Sequence, residues 1–317
     1  MGTFCKSWAA WMQQCILALI LASLSTQSAW AQDNDDGPGK KTFDLLWSIK
    51  GEKNHIYLLG SVHLLPHGAR SLPDVVHAAY MTSDLIVFES DLFLIGSVAF
   101  EADELAQARY AAGHSIHDEM PADLMLQVEN KVEDLGLPMA ILQRYRPWFF
   151  AQTLATAQFA RDGFPIDNGV DVRLYREAVN DMKLTAGLTP PRQHLATFAE
   201  MTREQNEAFL RSALDDLEDT RAQISRILDI YRNADLDLLN TLAEEMREQT
   251  PSLYKRLVID RNEAWMAKFE EYRKEPNNIL VVVGAMQLVG DQGLIARFER
   301  AGWKPSVPKY RGFRPPE

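Results

Sequence analysis

The chain has 317 residues and a formal net charge of −11 at pH 7. This acidity argues against nucleic acid or anionic lipid as the main partner. Both cysteines, Cys5 and Cys15, fall within the first 31 residues, so the rest of the chain can form neither a disulfide nor a zinc–thiolate site.

The first 31 residues have the pattern of a secretory signal peptide. Lys6 stands in a short N-terminal region, residues 16–24 are an apolar core, and Ala29-Trp30-Ala31 offers an A-x-A cleavage site. The apolar core is too short to span a membrane, although an uncleaved anchor is the alternative. We therefore expect a cleaved signal over residues 1–31, a disordered leader over 32–42, and a periplasmic or secreted protein with no later membrane span.

The next segments predict a β-hairpin and then a βαβ unit. Apolar runs at residues 45–49 and 56–59 are separated by turn-forming residues, and the second run ends in Gly60, three residues before His63. A helix is predicted to begin near Pro73, followed by a buried strand that ends in Glu89. Because parallel strands bring their carboxyl ends to one sheet edge, His63 and Glu89 should lie at the same edge, on neighbouring or near-neighbouring strands.

Residues from about 98 to 275 are predicted to form a helical insertion, with a possible short strand at 183–188. The helix predicted over residues 252–272 carries Arg261 in the middle of an apolar stripe at helical spacing: Tyr254, Val258, Trp265, Phe269 and Tyr272. A buried guanidinium must be paired, so Arg261 is expected to contact a carboxylate, with Glu89 and Asp91 as candidates. The alternative is an arginine that reaches solvent from the edge of the stripe.

A second apolar run, residues 279–283, ends in Gly284 and presents Gln287 where the first run presents His63. Glycine after a strand permits close approach of a ligand. A helix near residues 291–301 and a short strand at 303–307 should follow. The whole pattern predicts one α/β domain over residues 43–317, with a mixed central sheet built from both ends of the chain around the helical insertion.

Two kinds of chemistry are open to a histidine and a glutamate at one sheet edge. His63 and Glu89 could ligate a divalent metal that lowers the pKa of bound water. Without a metal, they could act as general base and general acid.

Several motifs together resemble the TraB/GumN family, which includes the pheromone-shutdown proteins and the Tiki proteases that inactivate Wnt proteins. The motifs are Leu46-Trp47-Ser48-Ile49, Tyr57-Leu58-Leu59-Gly60-Ser61-Val62-His63, Leu72-Pro73-Asp74, Leu85-Ile86-Val87-Phe88-Glu89-Ser90-Asp91, Gly169-Val170-Asp171, Arg261-Asn262, the segment from Gly284 to Gly290, Gly293-Leu294 and Gly302. They cover essentially all of the chain after the signal. The resemblance implies an α/β fold in which two G-x-x-H motifs and an acidic residue form the site. In Tiki-like members this site is linked to divalent-metal-dependent peptidase activity.

The resemblance also implies roles for single residues. His63 matches the first motif histidine, Glu89 the acidic residue and Arg261 the buried basic residue, which makes these three the expected catalytic residues. His63 and Glu89 are the implied ligands of manganese, cobalt or zinc. The residues expected to contact substrate are Gln287, Gly60, Gly284 and Asp91.

The chain departs from the family pattern at two places. The second G-x-x-H is Gly284-Ala285-Met286-Gln287, and the usual Gly-Leu-Glu is Gly187-Leu188-Thr189. A neutral amide oxygen is a poor substitute for imidazole toward these metals. Two hypotheses follow: a hydrolase of peptide or related acyl bonds with an altered or weakened site, and a non-catalytic protein that uses the family pocket to bind a peptide, a glycan or an envelope partner.

Overall fold

The computed structural model describes residues 42–309 apart from residues 64, 67, 68, 70, 71, 96, 97, 165–167 and 219. The predicted signal peptide and nearly all of the predicted leader lie outside the described residues. The strands are β1 (Leu46–Lys50), β2 (His55–Ser61), β3 (Leu85–Ser90), β4 (Leu184–Thr189) and β5 (Ile279–Gly284). The helices are α1 (Asp74–Thr82), α2 (Leu92–Ile95), α3 (Val98–Ala108), α4 (Ala122–Asp134), α5 (Met139–Leu142), α6 (Pro147–Arg161), α7 (Val170–Asn180), α8 (Pro191–Ala199), α9 (Arg203–Glu218), α10 (Thr220–Asn233), α11 (Leu236–Gln249), α12 (Pro251–Tyr254), α13 (Asp260–Tyr272) and α14 (Leu294–Arg300).

The strands form one mixed sheet in the order β1-β2-β5-β3-β4. β1 pairs antiparallel with β2, as the predicted hairpin requires, and the remaining pairs are parallel. β5, from the C-terminal end of the chain, lies between β2 and β3. The α/β prediction and the prediction that both ends of the chain build one sheet are therefore confirmed. The possible strand inside the helical insertion is also confirmed, because β4 joins the sheet at its edge.

The central strand β5 is apolar because neighbouring strands flank it on both sides and helices cover the sheet faces. Its residues from Ile279 to Val283 are all buried, as expected for a parallel strand inside an α/β sheet. A second group of buried side chains lies among the helices of the insertion, including Trp148, Phe150 and Leu210. None of the helices in the described part of the chain combines the length and hydropathy needed to cross a bilayer.

The prediction of one uninterrupted helix over residues 252–272 is wrong, because the structure interrupts it. A π-helical turn, Lys255–Ile259, separates α12 from α13. A π turn adds one residue to the helical turn and rotates the following residues by about 100°. Asn262, four residues after Val258 and three before Trp265, is fully buried in the stripe, a place that steps of three and four residues also allow for Arg261. Arg261 lies at the edge of the stripe, with 13% of its side chain exposed.

The predicted final strand at residues 303–307 is also wrong. Only an isolated antiparallel bridge joins Ser306 to Ser48 of β1 in the described residues. The backbone N–H of each serine donates to the carbonyl of the other, at 2.8 and 3.0 Å. Pro308, two residues after Ser306, has no N–H to donate, so the ladder cannot extend along β1 beyond Ser306 in that direction.

Candidate functional site

The carboxyl ends of β2, β5 and β3 bring the main predicted site residues together. Ser61 of β2 pairs with Gly284 of β5, and β5 also pairs with β3, which carries Glu89. A Cβ atom on Gly284 would lie 3.2 Å from Glu89 Oε1 and 3.6 Å from His63 Nε2. Because glycine has no side chain, the space between the imidazole and the carboxylate stays open. The prediction that His63 and Glu89 share one sheet edge is confirmed.

Asp171 is placed beside His63 by the start of helix α7. The N–H of Val170 donates to Val62 O at 2.9 Å, which attaches the first turn of α7 to the end of β2. Only glycine fits at position 169, because a Cβ there would lie 2.5 Å from His63 O. Asp171 is in the first helical turn, where the helix dipole favours a carboxylate. The loop after β2 and the start of α7 are thus held together by the backbone.

The imidazole of His63 is oriented by this carboxylate. Its Nδ1 lies 3.1 Å from Asp171 Oδ2. With Nδ1–H donating to Asp171, Nε2 is the nitrogen directed toward Gly284. Asp171 belongs to the motif Gly169-Val170-Asp171, but the sequence alone gave no role in the site for this residue.

Both oxygens of Glu89 accept hydrogen bonds. Arg261 Nη2 donates to Oε2, and the N–H of Gly284 donates to Oε1 at 2.6 Å. The predicted pairing of Arg261 with a carboxylate is therefore confirmed, and the carboxylate is Glu89. The Arg261 guanidinium also lies 4.8 Å from the ring centroid of Trp265, a cation–π distance. Trp265 Nε1 in turn donates to Thr189 Oγ1 at 2.7 Å, so Thr189 holds the indole in this stack.

These contacts set the protonation states of the site. The Asp171 carboxylate raises the pKa of His63 to about 9, against the opposing effect of partial desolvation of the ring. Because 60% of the His63 side chain is exposed, solvent screens part of this interaction. Burial acts to raise the pKa of Glu89, but Arg261 and His63 outweigh it and hold that pKa at about 2. Near neutral pH the site thus contains the His63 imidazolium beside the Asp171 carboxylate and the Arg261 guanidinium beside the Glu89 carboxylate.

His194 is a site neighbour that the sequence analysis missed. It lies in helix α8, which follows β4 at the carboxyl edge of the sheet. Burial and the charge of Arg261 lower the pKa of His194 to about 4. The charge of His63 acts in the same direction, and the charge of Glu89 opposes it. Its Nδ1 is buried and has no hydrogen-bond partner among the described residues. The available sequence signal was Pro190-Pro191, which starts a helix directly after β4 and so brings His194 to this edge.

Gln287 is buried, with 5% of the residue exposed, and it contacts the helical layer. Its Nε2 donates to Leu257 O at 2.9 Å, and its backbone carbonyl accepts from Asn262 Nδ2 at 3.0 Å. Its Oε1 is buried without a hydrogen-bond partner in the described chain. Its predicted contact with substrate stays a prediction.

The other three residues predicted to contact substrate, Gly284, Gly60 and Asp91, lie in different parts of the structure. Gly284 lies between His63 and Glu89, as described above. Gly60 pairs with Val283 inside the sheet. Asp91 Oδ1 accepts from the N–H of Phe93 at 3.0 Å, a contact at the start of α2. Their roles toward substrate stay predictions.

The donor set does not fit a resident metal ion held by three protein side chains. Catalytic zinc sites usually have three protein ligands. Within the described ranges no group of three or more His, Cys, Asp or Glu side chains is arranged to hold a metal. Each Glu89 oxygen already accepts one hydrogen bond, and the charge of Arg261 offsets the negative charge that would attract a cation. The histidine nearest along the chain, His67, lies outside the described residues. Metal binding by His63 and Glu89 stays a prediction.

The buried pair predicts strong coupling between Arg261 and Glu89. Arg261→Leu should lower the free energy of unfolding by about 3 kcal/mol, because it leaves a buried carboxylate without its counter-ion. The double variant with Glu89→Gln should lose less than the sum of the two single variants. Urea unfolding at pH 7 measures this cycle. The exposed pair of Arg226 and Glu245, 3.9 Å apart, is the control and should show coupling near zero. Additive losses for Arg261 and Glu89 would contradict the pairing.

The contact between His63 and Asp171 predicts a pH-dependent stability. A histidine whose pKa is raised by folding stabilises the protein below its unfolded pKa of 6.5, and this contribution is lost as pH rises through about 9. The destabilisation caused by Asp171→Asn should therefore be largest near pH 6 and shrink toward pH 10. Chemical unfolding across this range tests the trend. In a His63→Gln background the effect of Asp171→Asn should not vary with pH, and an unchanged pH dependence there would assign the trend to another group.

The sequence of this chain is similar to known proteins and to one family. Matching curated proteins are both named "uncharacterized protein YbaP", from Escherichia coli (strain K12) and Shigella flexneri. Each is 21% identical over 245 residues, which cover 76% of this chain and 86% of the relative. No solved structure matches the chain. The family described as TraB/PrgY/gumN matches residues 45–307, from the first strand to the last bridge, and the chain therefore belongs to the TraB/PrgY/gumN family.

Proposed function

We propose that this protein hydrolyses peptide or related acyl bonds, with His63 as the proton-transfer group. The observation that carries the proposal is the position of its imidazole. Asp171 holds Nδ1 at 3.1 Å, while Nε2 is directed to the open space at Gly284 beside Glu89. A histidine oriented by a carboxylate, with its second nitrogen free, is an arrangement suited to general acid–base catalysis.

The reaction uses the site groups in distinct roles. A water molecule at Gly284 would lose a proton to His63 Nε2 as its oxygen adds to the substrate carbonyl carbon, and Asp171 would stabilise the imidazolium that forms. The imidazolium would then give the proton to the leaving nitrogen or oxygen as its bond to the carbonyl carbon breaks. Glu89 is too weak a base for this task, because its pKa is about 2. Its role is to hold Arg261, whose remaining N–H groups can stabilise negative charge that develops on the substrate carbonyl. Since only neutral His63 accepts a proton, the rate should rise with pH toward about 9.

Peptide cleavage by matched variants tests this function. The purified protein without its signal is incubated with a peptide library, and the products are identified by mass spectrometry. His63→Ala should lower kcat at least about 100-fold, the usual contribution of a general base. His117→Ala is the control, because this exposed histidine lies beside Glu129 in the helical insertion.

Two further results would decide against parts of the proposal. Equal rates for the native protein and His63→Ala would remove His63 from the mechanism.

Each assay is run with EDTA and with added Mn²⁺, Co²⁺ or Zn²⁺. Stimulation by one of these ions that disappears in His63→Ala would support the predicted metal site, whereas rates that are independent of EDTA and added ions would argue against it.

The second candidate is a binding protein without catalysis. Two observations favour it: the second motif histidine is absent, and Glu89 is already neutralised by Arg261. The exposed His63 imidazolium would then bind an anionic group of a peptide, glycan or envelope partner. The same library distinguishes the two functions. A binding protein would retain peptides with unchanged mass, and retention would weaken as pH rises through about 9, whereas hydrolysis would become faster.

We also propose that the protein is exported to the periplasm or secreted after cleavage behind Ala31. The proposal rests on the signal-like pattern of residues 1–31. Expression of the full chain in Escherichia coli should give a periplasmic protein whose N-terminal peptide begins at Gln32, as determined by mass spectrometry. The double variant Ala29→Arg, Ala31→Arg should accumulate with an intact N-terminus, because signal peptidase requires small residues there. A native chain that keeps Met1 and stays in the cytoplasm would contradict export.

A further inference from the structure

We infer that Gln287 is a positioning residue, which fixes the π-helical turn Lys255–Ile259 and thereby directs Arg261 to Glu89. The contacts that carry this inference do not involve substrate. Its consequence for catalysis rests on the proposed function, because only there does Arg261 act on a reacting group.

Gln287 contacts both sides of the junction between the π turn and α13. Its Nε2 donates to the carbonyl of Leu257, in the middle of the π turn, at 2.9 Å. Its backbone carbonyl accepts from Asn262 Nδ2 at 3.0 Å, and the same Nδ2 donates to Gln292 O at 3.0 Å. Both amide side chains are buried. One residue of the segment after β5 thus binds the helical segment before and after Arg261.

The contact with Leu257 requires a hydrogen-bond donor at position 287. The partner atom is a carbonyl oxygen, which can only accept. In the opposite amide orientation the Gln287 oxygen would face this carbonyl, and two acceptors would oppose each other in a buried place. The orientation with Nε2 toward Leu257 therefore follows from the partner, and it leaves Oε1 without a partner in the described residues.

The π turn determines which side chain faces Glu89. The added residue rotates α13 by about 100° relative to a continuous α-helix. Without it, Asp260 would take the direction that Arg261 now has, and Arg261 would turn into the buried stripe occupied by Asn262. A second carboxylate would then face Glu89, and like charges repel.

The same residue connects the two groups that hold Glu89. Gly284, three residues before Gln287, donates to Oε1, and Arg261 donates to Oε2. These donors come from different segments, the end of β5 and the helix after the π turn. Gln287 joins those segments directly, so the geometry around the carboxylate depends on its amide.

The test combines an isosteric variant with a matched control. Gln287→Met keeps the length of the side chain and removes the donor, whereas a buried glutamate there would be protonated and still donate to the carbonyl. Gln158→Ala is the control, because Gln158 is also buried and its Nε2 donates to Asp162 Oδ2 at 2.7 Å, at the C-terminal end of α6. If Gln287→Met does not fold, Gln287→Leu, which also lacks a donor, takes its place.

The readout of helix position is the indole N–H signal of Trp265 in a ¹H–¹⁵N spectrum, identified by its absence in Trp265→Phe. This indole lies on α13 and donates to Thr189, so it reports the rotation of the helix. We expect the signal to move in the Gln287 variant and to stay in place in Gln158→Ala. We also expect kcat to fall about tenfold, with little change in KM, in the Gln287 variant only.

Each outcome bears on the inference. A lower kcat with an unmoved Trp265 signal would overturn it and place Gln287 in contact with substrate. Movement of the signal in both variants would overturn it as well, because general destabilisation would then suffice. If the signal moves only in the Gln287 variant while the native protein hydrolyses nothing, the positioning role stands and the proposed hydrolase function fails.

Discussion

The site depends on one buried carboxylate, that of Glu89, which accepts from Arg261 at one oxygen and from the N–H of Gly284 at the other. A charge with 16% of its side chain exposed is stable only if it is paired and hydrogen-bonded. Arg261 is 172 residues from Glu89 along the chain, and Gly284 is 195 residues from it. The carboxylate therefore requires that α13 and the end of β5 both reach β3. The parallel order of β2, β5 and β3 satisfies this requirement and brings His63 to the same edge.

The two glycine motifs have the same backbone plan but different surroundings. The first ends in His63, an exposed imidazole oriented by Asp171. The second ends in Gln287, a buried amide bound to Leu257 and Asn262. In this chain one motif presents a titratable group to solvent, while the other joins the sheet to the helices. The pseudo-symmetry visible in the sequence thus extends to the strands and glycines but not to the chemistry of the final residue.

Features with a local or a general physical cause could be predicted from the sequence. Apolar runs and turn residues predicted the hairpin and the βαβ unit, and parallel pairing then required His63 and Glu89 to share one edge. The Arg261 partner followed from the rule that buried charges are paired. The contact of His63 with Asp171, 108 residues away, could not be predicted from local signals, because many acidic residues were equally available. The position of His194 likewise depends on the path of α8 after β4.

The π turn shows why spacing alone misplaced Arg261. Steps of three and four residues between Val258 and Trp265 fit Arg261 and Asn262 equally, and the structure places Asn262 in the stripe and Arg261 at its edge. Nothing in the local sequence marks the π turn before them, because the partner that we infer to fix it, Gln287, is 30 residues from Leu257 along the chain. A guanidinium inside the stripe would face the core. At the edge of the stripe, Arg261 contacts Glu89 and stacks on Trp265. A long-range hydrogen bond that no periodicity reveals thus decides which charge enters the site.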